Sequence, residues 1–433
     1  MSFLRKVLLA AGAAGLAALS AAPATAAGFY VQEQSARGLG RAYSGEVTDT
    51  GSASLWWNPA AIAGVENVDA YGGFHVVSVH ATVADQGSTI TRPLQAPAGV
   101  GGAGVEKDPV ETGYVPNLAF ARRLNDRFVA GFAITAPYDF TTKYGTDSWT
   151  RYEALTSRLL TLDFQPTLAF RATPWLDLGV GLDVEYAHAR LTNALPNLSP
   201  LLPDGNSELK GSGWNVGWNV GAQARPSSRL TLAASYRSAI RHDLGGHVTV
   251  SGLQGPLAAA NIDAAGEARF STPWIATFGA RYKATDRLAL MVQAQRFGWS
   301  AFGAIDVNVA GETLVTPERY HDTTSEAVGA EYVLSPKWTL RGGVQHDPTP
   351  TPDVGRSARV PDGDRWLYAV GATYAPSART SIDAGVSYIH FGASHVGVDA
   401  TAYAGTPLVT PIAFDGRVTG DAVVFSAGVR KTF

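Results

Sequence analysis

The residues that could do bond-making chemistry are present but never gathered. His75, His80, His188, His242, His247, His321, His346, His390 and His395 stand singly, with no His-Glu-x-x-His and no metal-ligand spacing. Serine, histidine and aspartate all occur, yet no Gly-x-Ser-x-Gly elbow sets up a nucleophile. Gly99 to Gly104 is glycine-rich but lacks the lysine and the strand-to-helix setting of a phosphate loop, and reads as an outer loop. With no cysteine, a thiolate site, a disulfide framework and a lipoprotein anchor are all excluded. A formal charge of −3 gives no reason to expect a nucleic-acid partner. The chain therefore reads as a non-enzyme without a cofactor or metal. What it does carry is a backbone device: in Ile134-Thr135-Ala136-Pro137-Tyr138-Asp139, proline has no N–H to give a strand ladder. Pro137 opens a gap in a sheet or ends the strand there.

The elements that would hold such a device follow from composition and period. Residues 1–26 form a targeting segment: Arg5 and Lys6 precede an apolar run from Val7 to Leu19, and Ala24-Thr25-Ala26 is a small-residue cleavage site. Export follows. No later run approaches the roughly 20 apolar residues of a membrane helix, although 45% of the chain is hydrophobic. Alternation takes the place of such runs. Leu160, Leu162, Phe164, Leu168 and Phe170 share one face of a strand, while Thr161, Asp163, Gln165 and Arg171 share the other. Leu176 to Tyr186 repeats the pattern. About fourteen strand centres can be placed, from Val76 and Leu118 to Gly385 and Ala427. Tight turns such as Asn125-Asp126 and Ser335-Pro336 alternate with long connections, among them Thr82 to Glu111, Ala310 to His321 and Gly392 to Gly420. Short turns at one end and long loops at the other predict an all-β transmembrane antiparallel barrel over residues 69–433, closed because lipid tolerates no open sheet edge. A soluble sandwich also alternates, but it has no reason to sort its loops by length.

Residues 27–68 do not fit that wall. Between Gly28 and Gly64 the glycines are too frequent for a regular element, and Phe29, Tyr30, Leu55, Trp56, Trp57 and Ile62 are too apolar for a linker. Asn58-Pro59-Ala60 supplies a turn. Such a segment needs something to surround it.

Gly38 to Glu46 (GLGRAYSGE), followed by Asn58-Pro59-Ala60, resembles the N-terminal hatch of the FadL-type outer-membrane transporters. The resemblance continues through Val115-Pro116-Asn117, the tryptophans Trp214 and Trp218, Val360-Pro361-Asp362-Gly363-Asp364-Arg365 and Ser387-Tyr388 to the terminal Phe433. It implies a monomeric barrel in the bacterial outer membrane, bedded in its lipid, plugged by the hatch and importing long-chain fatty acids or aromatic hydrocarbons. It also implies roles. Phe29 would reach into an apolar pocket, Arg190 and Arg319 would meet a carboxylate, and Asn58, Pro59 and Ala60 would face a lateral opening at Ala136, Pro137, Tyr138 and Asp139. Asp139 stands where the family often has glycine. Two readings from other classes remain: a lipid-modifying barrel enzyme, which a lumen-facing Ser-His pair would mark, and a structural or adhesive barrel without a ligand-sized cavity.

Overall fold

The computed structural model describes residues 28–352 and 354–433, so the targeting segment lies outside the described residues. Alternating residues build fourteen wall strands, several of them in two stretches. They are β1 (Val68–Asp85), β2 (Gly113–Arg123), β3 (Phe128–Thr135 with Asp139–Lys143), β4 (Thr156–Thr173), β5 (Leu176–Leu195), β6 (Gly205–Ala224) and β7 (Leu230–Arg237 with Ile240–Ser251). The second half comprises β8 (Ile262–Thr272 with Trp274–Lys283), β9 (Leu288–Gly298 with Ala304–Val309), β10 (Glu312–Pro317 with Thr323–Ser335), β11 (Trp338–Asp347), β12 (Arg365–Ser377), β13 (Thr380–Ala402) and β14 (Thr410–Thr432). β1 pairs with β14 from Asp69↔Thr432 to Asp85↔Gly416 and with β2 on its other side, so the sheet closes into a ring with no free edge strand. No helix among the described residues is long and apolar enough to cross a membrane. The strands do the crossing.

The two faces sort as a membrane barrel requires. On β5, Leu178, Val180 and Leu182 point outward and are exposed, while Asp177, Asp183 and Glu185 point inward and are buried. At the C-terminus Phe425, Val429 and Phe433 face outward, and Lys431 on the same face lays its ammonium 5.0 Å from the Phe433 ring centre.

Two expected loops are shorter than their composition suggests. Ala310 to His321 is a hairpin: Ala310 and Gly311, at φ 52° and 82°, join β9 directly to β10 in the two-residue turn that suits strand twist. Gly392 to Gly420 shrinks to residues 403–409, because β13 and β14 stay paired up to Ala402↔Thr410. The reason lies in packing. Val396, Val398, Ile412 and Phe414 bury their inward faces with Trp149, so the strands continue beyond the lipid-facing band.

Residues 28–65 are almost wholly buried and pack against strands around the ring. They fold as one helical turn, Ala36–Leu39, capped by the Ser35 hydroxyl, and three 3₁₀ turns, Glu46–Thr48, Ser52–Ser54 and Pro59–Ile62. Their side chains reach the wall in several directions: Gln32 to Asp347 (3.2 Å), Ser52 to Asp69 (3.0 Å) and Asn58 to the Ala222 carbonyl (3.3 Å). Arg41 is fully buried and bonds Glu46 (2.5 Å), Asp49 (2.5 Å) and Glu331 (2.6 Å). Arg37, Arg281, Arg341 and Asp383 extend this network, so four arginines face four carboxylates. The charges balance in an interior that could not hold them singly.

Removing Arg41 would strand Glu46, whose ion-pair partner it is, and weaken the sites of Asp49 and Glu331, a loss of about 3–5 kcal/mol for a broken buried ion pair. In planar bilayers, deletion of residues 28–64 is expected to raise ion conductance well above the intact level, and Arg41→Ala to give intermittent openings. Conductance unchanged in both would mean that this segment does not close the pore.

Candidate functional site

The wall is broken at one side of β3. Below the break, Val129 to Ile134 pair with β2 from Arg123 to Leu118. Above it, the Glu111 N–H donates to the Thr141 carbonyl (2.8 Å) and the Lys143 N–H to the Pro109 carbonyl (2.7 Å). Between these levels Gly113 to Asn117 of β2 have no ladder partner on β3. The other side stays joined. Thr135 pairs with Asp163 and Asp139 with Leu160, four residue steps on β3 against three on β4, which is a bulge of one residue. The extra residue changes the parity of the strand, turning Tyr138 and Phe140 inward and Asp139 outward.

The bulge carries carbonyls that would face nothing without the N-terminal segment. Val31 N–H donates to the Pro137 carbonyl (2.8 Å), Gln34 Nε2 donates to that of Ala136 (3.0 Å), and Tyr30 forms a bridge with Tyr138. Val31 also packs with Val115 and Ala136. A cavity of about 310 Å³ runs through the break, from Tyr30, Glu33 and Arg365 inside to Tyr114, Asp139 and Thr141 at the outer face.

Phe29 sits beside the bulge in an aromatic nest. Its ring centre lies 5.5 Å from Tyr138, 5.1 Å from Trp299 and 5.1 Å from Phe302, all in edge-on contact. A cavity of about 60 Å³ adjoins it, lined by Phe140, Leu159, Leu209, Leu244, Phe270 and Ile305, with Ser157, Arg158 and Arg359 as its polar members. Arg359 is buried. Its guanidinium donates to the Ser157 hydroxyl (3.2 Å) and to the Glu153 carbonyl. Burial holds that guanidinium down to about 10, with the Glu153 carboxylate acting in the opposite sense. Burial likewise pushes the Glu153 carboxyl up to about 7, while bonds from the Ser357 hydroxyl and the Ala358 N–H pull against it. A cation so poorly solvated is a strong partner for an anion brought to it.

Phe29 and the Ala136 to Asp139 stretch are thus brought together, and the other expected residues are not. Arg190 points outward on β5, 46% exposed and 2.7 Å from Glu208, because it shares the parity of Leu182 and Tyr186. Arg319 is exposed at φ 53°, in the link between the two stretches of β10, and does not line either cavity. Asn58, Pro59 and Ala60 do not face the break. They lie against β5 and β6, where a Cβ at Gly179 would stand 2.3 Å from Pro59 and one at Gly221 would stand 2.0 Å from Asn58, so only glycine lets the turn approach. Tyr30, Val31 and Gln34 face the break instead. Arg359 and the aromatic partners Trp299 and Phe302 were not anticipated. Arg359 falls in an irregular stretch without periodicity, and the only hint was its place beside Val360-Pro361-Asp362-Gly363.

The family model described as outer membrane protein transport protein (OMPP1/FadL/TodX) matches residues 17–433. The chain is 28% identical to the long-chain fatty acid transport protein of Salmonella typhi, over 86% of this chain and 89% of that one. It is 27% identical to outer membrane protein P1 of Haemophilus influenzae, over 86% and 87%. Among solved structures it resembles a Pseudomonas aeruginosa FadL homologue (TM-score 0.82, 24% identity, 94% of this chain and 100% of that one). It also resembles the Pseudomonas putida toluene transporter TodX (TM-score 0.68, 18% identity, 94% and 100%).

Proposed function

The chain belongs to the OMPP1/FadL/TodX family of outer membrane transport proteins, and from that premise we propose that it takes up long-chain fatty acids and releases them sideways into the membrane. The observation that carries this reading is the coincidence of three features at one height: an apolar nest filled by Phe29, a buried Arg359 at its edge, and the wall break beside it. An acyl chain entering the nest displaces the Phe29 ring, and its carboxylate meets Arg359. Phe29 is joined through Tyr30 and Val31 to the bulge at Pro137, so displacing it pulls on the bonds that cover the break. The hatch thereby gates the opening. Sideways release also suits the cargo, since each CH₂ returned to water costs about 0.8 kcal/mol, a cost that exit into lipid avoids. The second reading, an aromatic-hydrocarbon channel, draws on the likeness in fold to the toluene transporter. The buried cation favours the acid.

Two variants test these parts separately. Arg359→Gln is expected to weaken binding of a long-chain fatty acid by about 1.5–3 kcal/mol, roughly ten- to a hundredfold, while a hydrocarbon of equal length binds as before. Arg190→Gln should change neither. Equal losses for acid and hydrocarbon would remove the carboxylate role. For the exit, Gly113 lines the break and a Cβ there meets only Val77, at 3.6 Å. Gly113→Trp therefore fills the opening without disturbing Ala136, which is packed under Val31 and Val115. Uptake of labelled fatty acid by cells should fall to background while binding to the purified protein stays within about twofold; unchanged uptake would rule out this route.

A further inference from the structure

The outward face of the barrel carries a row of cations, of which Arg158 alone also borders the cavities of the transport route. Arg158 on β4 stands opposite Arg190 on β5, Arg190 opposite Lys210 on β6, and Lys210 opposite His247 on β7. All four side chains are exposed. Like charges placed directly across strands repel, and little in the protein offsets them. Glu208 pairs with Arg190 at 2.7 Å and Asp263 approaches His247 at 3.6 Å, but Arg158 and Lys210 form no ion pair among the described residues. Asp139 faces outward close enough for attraction to Arg158, though the two form no direct ion pair among the described residues. The neighbouring outward charges differ: Arg269 on β8 pairs with Asp243 (2.8 Å) and Glu267 (3.1 Å). An excess of positive charge thus runs across neighbouring strands β4, β5 and β6.

Its height gives it meaning. Four residues further toward the short-turn end, Leu162, Tyr186 and Trp214 stand opposite one another on the same three strands. Trp214 lies 5.3 Å from Tyr186 and 5.7 Å from Phe164, ring centre to ring centre. Such aromatic girdles mark the edge of the hydrocarbon, and a rise of about 3.3 Å per residue sets the cations about 13 Å along the strands beyond that edge, on the long-loop side. In an outer-membrane barrel the long loops face the exterior, so the row lies at the head-group level of the outer leaflet.

We propose that Arg158, Arg190 and Lys210 form a binding site for the phosphate groups of a phosphorylated glycolipid of the outer leaflet, with its acyl chains lying along Leu160, Leu162, Phe164 and Trp214. Guanidinium groups take phosphate oxygens in pairs, and a dianionic phosphate between them removes the cross-strand repulsion. The site rests on the outer-membrane placement of the barrel, and Arg190 and Lys210, unlike Arg158, line neither cavity of the transport route.

The test uses the full mature protein and the double variant Arg190→Gln/Lys210→Gln, whose changed side chains are exposed and leave the lumen untouched. Binding is measured to phosphatidylcholine vesicles containing bisphosphorylated lipid A, its dephosphorylated form, or phosphatidylglycerol. The intact protein should bind the bisphosphorylated vesicles about tenfold more tightly than the variant does, and the two proteins should be alike on the dephosphorylated ones. Three results would each overturn the proposal: a variant that binds as the intact protein does, an intact protein indifferent to the phosphates, or equal binding to phosphatidylglycerol, which would make the row a general anion surface. Fatty-acid binding should be the same in both proteins. Its loss in the variant would assign the row to the transport route instead.

Discussion

Lipid offers no hydrogen bonds, so every backbone N–H and C=O at membrane depth must find its partner within the protein. The barrel meets that demand nearly everywhere by pairing β1 with both β2 and β14. It fails on one side of Pro137, which has no N–H to offer and stands in a bulge that turns two carbonyls away from the ladder. Those carbonyls are satisfied from within, by Val31 and Gln34. The opening and the segment that covers it are therefore one structure. Take away the strap and the bulge is left with unmet bonds beside a cavity. Take away the bulge and the strap has nothing to hold.

The rest of the N-terminal segment keeps that strap in place. Arg41 and its carboxylates tie it to the wall at Glu331, and Arg237 bonds the Trp56 carbonyl while its guanidinium carbon lies 3.6 Å from the Trp56 ring centre. These contacts lie on residues 41–56, well along the chain from Phe29 to Gln34. The bonds that hold Val31 and Gln34 to the bulge are few and local, while the anchors behind them are many. Tyr30 belongs to both parts: its ring stacks near Trp56 and its backbone bridges Tyr138.

Much of this was legible in the sequence, and the limits follow from geometry. Period-two alternation identified the wall, and the aromatics between Gly28 and Gly64 marked a segment that is buried against it. Pro137 marked the break because its missing N–H is a property of the residue itself. The parity change at Tyr138 could not be read, since a bulge leaves no compositional trace. Arg190 was legible but misread: counting by twos from Leu182 and Tyr186 puts it outside, against a role in the lumen. Arg359 had no such guide, because in an irregular loop burial is decided by whatever folds over it, here Glu153 and Ser157 from the strand and loop nearby. Asn58-Pro59-Ala60 formed the expected turn, and its position was set by the glycines at 179 and 221, far from it in sequence.

The most direct test of the coupling between strap and opening uses the absence of cysteine from the chain. Val31 and Ala136 pack together across the closed break, so Val31→Cys/Ala136→Cys can lock the strap onto the bulge. Uptake of labelled fatty acid by cells carrying this variant would be followed under oxidising conditions and again after a reductant is added. The expected result is transport that stops when the bond forms and returns when it is reduced, with each single variant transporting throughout. Transport at the same rate with the bond formed would contradict the claim that the ligand leaves by moving the strap from the wall.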